Sequence, residues 1–400
     1  MVFIIDPNLL SMNPNRFDSL LGKKIYYIPT RKSGWYVPML EIIPQLDPIA
    51  LPAPVWFQKI LLIPTWIIHI LIVQFLVGAI VTTGILKVRR SALSAAANTY
   101  LLKPFPIVFA LLVNFGIPPL LFVQTLYGQF VYSSTILMGF WWIIIIPIVI
   151  TTYLVSYRIR TIADRERGYR MGWAAVFLIG LFYTGFILTN IMTLMLEPQS
   201  WQTMYQNSSA GLSVQKHSME LMLRFLYFLV GGGSAVGSVL IASGRYWKNI
   251  EESHRLKQMG SILYIIFLAI GLVLGFGYLQ LIPSEVQAIL ASDGWYLGSC
   301  WLYVVFVLGG IGLGILGFRM KNIQSPILYL PAGIYALVVL IMAVIRDRVR
   351  DAFLSHAGFS FNQVTVQSDV SVIILFLLLF VAALIAIFFM HKWFIQDKNA

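Results

Sequence analysis

Apolar residues run along this chain in long blocks separated by short polar, mostly basic, connections. A helix crossing about 30 Å of hydrocarbon needs roughly 20 mostly apolar residues. Nine blocks meet that length, at about 57–86, 104–127, 131–157, 172–196, 219–243, 259–282, 296–318, 326–346 and 370–391. The third contains the uninterrupted run that starts at Phe140-Trp141-Trp142-Ile143, with Pro147 inside it. None of the blocks alternates polar with apolar residues over about ten positions, so the pattern does not read as an outer-membrane barrel. It predicts an all-α polytopic membrane protein with about nine transmembrane helices. The segment 1–56 carries scattered charges, prolines and aromatics but no apolar stretch of signal-peptide length. It reads as an extramembrane tail lying at the membrane surface.

Composition agrees with the pattern. Hydrophobic residues make up 59% of the 400 and charged residues 11%, with a mean hydropathy of +0.82. Soluble domains hold about 25% charge, so this chain has too little to coat a water-facing surface of its size. The single cysteine, Cys300, excludes a disulfide framework, a thiolate zinc site and an iron–sulfur cluster held by this chain alone. The net charge of +12 does not form a nucleic-acid patch, because the basic residues sit in loops between apolar blocks. They act as orientation signals instead. With the N-terminus outside, 17 of the 28 Lys and Arg fall on the inner side. Lys216, Arg224, Arg346, Arg348 and Arg350 are the short-loop cations left on the outer side, and long tails weigh little in the rule. The expected topology is therefore N-terminus outside and C-terminus cytoplasmic.

Weak internal repetition suggests a division of the chain. The first span reads Trp66-Ile-Ile-His-Ile-Leu-Ile-Val-Gln-Phe-Leu-Val-Gly78 and the fifth reads Arg224-Phe-Leu-Tyr-Phe-Leu-Val-Gly231. Each is followed by small residues and then a basic loop. Close helix packing would explain the small residues; so would a duplicated four-helix unit followed by a last helix. The corresponding boundaries are 1–56 for the tail, 57–218 and 219–346 for two four-helix units, 347–369 for an outer loop, and 370–400 for the ninth helix and cytoplasmic tail.

Ionisable groups inside a membrane are functional candidates because they are costly there. All 16 Asp and Glu fall in the tail, in loops or at span ends. That absence disfavours a proton pump or a sodium-coupled transporter. His69 is the histidine well inside a span. Its imidazole has two readings: an axial haem ligand, or a bridge to Asn114, Gln124 or a carbonyl of a neighbouring helix. Gln74, Asn114, Gln124 and Asn190 are intramembrane amides, expected to bond between helices. Pro118-Pro119 is expected to break the second span. The run Arg346-Asp347-Arg348-Val349-Arg350-Asp351 closes the eighth span, either as an anchor to lipid phosphates or as a clamp for haem propionates or an acidic partner. Gly309, Gly310, Gly312, Gly314 and Gly317 look like close helix packing, since no strand precedes them.

Taken together, these residues resemble subunit I of cytochrome bd-type oxidases. The match rests on His69-Ile-Leu-Ile-Val-Gln-Phe-Leu-Val-Gly78, on Val113-Asn114-Phe115-Gly116 through Gln124, Gly128, Tyr132 and Ser133, and on Arg224 through Gly237. It covers spans one to six in order and weakens from Pro283. The resemblance implies nine spans, an outer N-terminus and a place in a respiratory or electron-transfer complex of a bacterial inner membrane. The chain also departs from the family. Tyr227 stands where the fifth span would supply a haem b histidine, and Tyr303–Val307 where the seventh would supply its methionine partner. Ala343–Val344 replace a glutamate ligand in the eighth, no glutamate occurs in Met138–Ile150, and the quinol-binding loop shrinks to about Pro283–Gly294. Oxygen reduction by this chain alone is not expected.

Three functional readings follow from the resemblance and its gaps. In the first, the chain is an electron-transfer subunit holding one haem b, with His69 as the iron ligand and Arg346 and Arg348 as the propionate clamp. In the second, it is a haem-free subunit anchoring other membrane subunits, c-type cytochromes or other partners on the outer face, among bilayer lipids. A transporter comes third.

Overall fold

The computed structural model describes residues 50–91, 93–164, 171–208, 210–215, 218–243, 250–322 and 325–396, together with the backbone of a short antiparallel pair, β1 (Tyr27–Pro29) and β2 (Tyr36–Pro38). The rest of the expected tail lies outside the described residues. From residue 55 the chain is helical almost throughout: α1 (Val55–Val88), α2 (Ser94–Leu102), α3 (Phe105–Leu126), α4 (Gly128–Leu137), α5 (Gly139–Asp164), α6 (Met171–Leu194), α7 (Pro198–Asn207), α8 (Met219–Ala242), α9 (Ile250–Gln280), α10 (Ser284–Ala291), α11 (Gly294–Arg319), α12 (Leu330–His356) and α13 (Val370–Gln396). Among the described residues eight helical segments are long and apolar enough to cross a membrane. They are α1, the α2–α3 segment from Tyr100, α5, α6, α8, α9, α11, and α12 with its 3-10 lead-in. The chain is an all-α polytopic membrane protein. The ninth expected span coincides with α13, a 27-residue helix whose described apolar stretch is Ile373–Ala382.

Three boundaries differ from the sequence expectation, each for a local reason. The third span starts at Gly139 rather than near 131, because the chain turns at Met138 and separates α4 from α5. In α4, Phe130, Val131 and Ser134 are buried against the rest of the protein. The eighth span continues to His356, so Arg346–Asp351 belongs to the helix and not to the loop. There Asp347, Arg350, Phe353 and Leu354 are buried by neighbouring elements. Finally, α3 runs through Pro118 and Pro119 without interruption. Each proline removes one backbone donor, and surrounding helices can shelter the freed carbonyls.

Small residues set how the bundle packs. A Cβ on Gly78 would lie 2.0 Å from the carbonyl oxygen of Gly232, so α1 and α8 cross with their backbones touching. The two stretches that repeat in sequence therefore meet in space. Gly237 of α8 and Gly260 of α9 approach in the same way, a Cβ on Gly237 falling 2.6 Å from the Gly260 carbonyl oxygen. On α11, Gly310, Gly314 and Gly317 face α9, while Gly309 and Gly312 have open space beside them. Without a hydrophobic drive between helices in lipid, such close approach supplies the packing energy. The opposite faces look outward: Ile143, Ile146, Ile150 and Leu154 on α5 and Ile262, Ile266, Ile270 and Val273 on α9 are exposed, as lipid-facing positions should be.

The ends of the helices also sort by charge. Lys257 near the start of α9 is buried and donates to the Met320 carbonyl just past α11, where the helix dipole favours a cation. At the opposite end, Lys59 of α1 reaches α12. At 34 residues α1 is about 51 Å long, longer than the hydrocarbon, so part of the helix projects beyond the apolar layer, and Lys59 is its fifth residue.

Candidate functional site

The helix ends around α12 carry two joined groups of polar side chains. In the first, Lys59 Nζ donates to Asp347 Oδ2 at 2.9 Å and to Asp351 Oδ2, and Arg350 Nη2 donates to Asp347 Oδ1 at 2.9 Å. The Tyr127 hydroxyl donates to Asp351 Oδ1 at 2.7 Å, and the Arg350 guanidinium lies 4.7 Å over the Tyr127 ring. Two carboxylates are thus balanced by two cations. Asp347 and Arg350 are only 5% and 6% exposed, so this balance is what makes their burial tolerable. The group ties α1, the α3–α4 junction and α12 together.

The second group borders a cleft of about 390 Å³ between α8, α9, α11 and α12. That size is typical of a small-molecule site. Its walls are mainly apolar, and its polar parts are Arg224, Arg346 and three tyrosines. Arg224 donates to Thr193 Oγ1 at 3.3 Å, sits 3.5 Å from Glu220 Oε1 and lies 5.6 Å over the Tyr278 ring. Arg346 lies 4.8 Å over the Trp66 ring. Deeper in, the hydroxyls of Tyr227 and Tyr303 bond to each other at 2.9 Å. Below them a cavity of about 20 Å³ lies between the pair and Tyr335, whose hydroxyl is 2.9 Å from Gln74 Oε1 and 2.8 Å from the Gly231 carbonyl oxygen and has one proton to donate between them. At the helix ends beside the cleft, Glu197 accepts from Gln215 Nε2 at 2.7 Å. Burial and the nearby Glu220 charge raise the Glu197 carboxyl above the ordinary carboxylate range.

The residues singled out in the sequence fall in different places. His69 turns toward α3, where its Nδ1 is 3.0 Å from the Leu112 carbonyl oxygen and its ring fills the space that a Cβ on Gly116 would need. Arg346 borders the cleft. Arg348 turns to Asp293 at the start of α11, 3.6 Å away. Of the amides, Gln74 and Asn190 bond to other elements, whereas Asn114 bonds to Ala110 of its own helix. The sequence reading passed over Lys59, near the start of the first span, and the pairing of Tyr127 with Asp351. The i, i+3 spacing of Asp347 and Arg350 was the visible sign of a structured helix end.

A haem b group needs an oriented axial nitrogen, a second ligand or open face, and cations for its propionates. His69 supplies the first, since an Nδ1–H bonded to a carbonyl fixes the tautomer that leaves Nε2 for iron. No described contact joins either arginine to it, and no group of three or more His, Cys, Asp or Glu that could hold a metal ion occurs among the described residues. The residues present therefore fit a haem only in part. No protein-family model matches the chain, and no curated protein is significantly similar to it.

Proposed function

We propose that the chain is a haem-free integral subunit of a respiratory or electron-transfer complex, anchoring other membrane subunits and outer-face partners such as c-type cytochromes. The observation that carries this reading is the Tyr227–Tyr303 pair. In the resemblance to cytochrome bd subunit I, those two stretches on the fifth and seventh spans supply a haem b ligand each. Here they lie face to face, 2.9 Å apart, as two hydroxyls bonded to each other. Their juxtaposition fits the scaffold of that subunit, and their chemistry fits a scaffold from which the haem has been lost. The buried ion group around Asp347 gives α1 and α12 a rigid end on which partners can dock. With the N-terminus outside, that end faces outward and the C-terminus lies in the cytoplasm of a bacterial cell.

A second reading keeps one haem b on His69, favoured by the Leu112 bond that orients the imidazole. Purification in mild detergent tests the subunit role. The tagged chain should co-migrate on native gels with stoichiometric membrane partners. A monodisperse chain that oxidises quinol with oxygen unaided would contradict both readings.

A further inference from the structure

The cleft between α8, α9, α11 and α12 has features that the anchoring role does not use. It opens on the lipid-facing surface, where Trp301 is 74% and Phe276 53% exposed. At its polar end are two guanidiniums, Arg224 and Arg346, with the carboxylates of Glu220 and Glu197 on the Arg224 side. Arg224 is occupied by Glu220 and Thr193. Arg346 has no such partner: among the described residues it makes no hydrogen bond and no ion pair, only the Trp66 ring contact. The adjacent carboxylates are engaged elsewhere, Asp347 and Asp351 by Lys59 and Arg350, and Asp293 by Arg348. Glu220 and Glu197 gather on the Arg224 side, so Arg346 is left as a cation with no contacting carboxylate at the head of an apolar slot. Arg224 stands only five residues into α8, about 7.5 Å along its axis, a depth suited to a headgroup.

We infer that this cleft binds one anionic phospholipid from the bilayer, its phosphate paired with Arg346 and its acyl chain lying along the wall toward Trp301. A guanidinium pairs a phosphate through two parallel hydrogen bonds, and a site short of water makes that pairing strong. A zwitterionic lipid brings its own cation and gains less. The inference requires only that these helices lie in a membrane, so it stands or falls apart from the anchoring role.

Native mass spectrometry of the full chain in detergent, titrated with dioleoylphosphatidylglycerol or dioleoylphosphatidylcholine, tests it. The wild type should retain one phosphatidylglycerol and prefer it by about tenfold, because the choline cation of phosphatidylcholine offsets the attraction of its phosphate to Arg346. Arg346→Gln should reduce that preference to near unity. Gly275→Leu, which extends into the slot past Tyr227, should weaken binding of both lipids and carries the test if the first variant does not fold. Arg255→Gln, which removes an exposed charge paired with Glu251, should change nothing. Equal binding of the two lipids by the wild type, or undiminished preference in Arg346→Gln, would overturn the inference. So would displacement of the lipid by a short-chain quinone that binds the wild type more tightly.

Discussion

His69 shows how one side chain can be located by sequence while its partner is not. A histidine inside an apolar span must find a hydrogen bond or a metal, because an unpaired polar group in hydrocarbon is costly. The position was therefore legible; the partner, the Leu112 carbonyl, depends on how α1 and α3 cross and was not. Replacing His69 with Ala should lower stability by on the order of 1 kcal/mol, the usual size of an interhelical polar contact, measured as a shift in thermal unfolding in detergent. Asp347 should matter more. Asp347→Asn leaves the buried Arg350 without its carboxylate and should destabilise by about 3 kcal/mol. Glu197 predicts a pH effect. Its folded carboxyl is raised, so its contribution to stability is fully present below the unfolded value and is lost as pH rises through the folded one. The thermal midpoint of the wild type should fall across that interval, whereas Glu197→Gln, which keeps an oxygen for Gln215, should be flatter and the more stable protein above it.

Among the elements, the long apolar blocks located the membrane helices because length and hydropathy are properties of the local sequence. Their ends were harder to read. The turn at Met138 and the extension of α12 to His356 are decided by what buries Phe130 and Phe353, and those contacts come from distant parts of the chain. The small residues after Gly78 and Gly231 signalled close packing, and the structure adds which helices meet. Gly78→Ala places a methyl group into the Gly232 backbone and should cost about 1–3 kcal/mol. Gly312→Ala, with open space at its Cβ, should be neutral or stabilising by up to about 1 kcal/mol. Equal effects at both positions, measured by thermal unfolding, would mean that α1 and α8 do not cross there.

For the molecule as a whole, what could be read from sequence was the class, an all-α membrane protein. That Tyr227 and Tyr303 would meet required the bundle, since 76 residues separate them along the chain. The proposed anchoring role in an electron-transfer complex rests on their meeting. The most direct test is the haem content of this chain within its intact, mildly solubilised complex. Pyridine haemochrome analysis and visible spectra should be recorded for the wild type and for His69→Ala at equal protein loading. The two proteins should show the same Soret intensity, with any haem present belonging to partner subunits. One haem b per chain that disappears in His69→Ala while the complex stays assembled would contradict the proposed haem-free role.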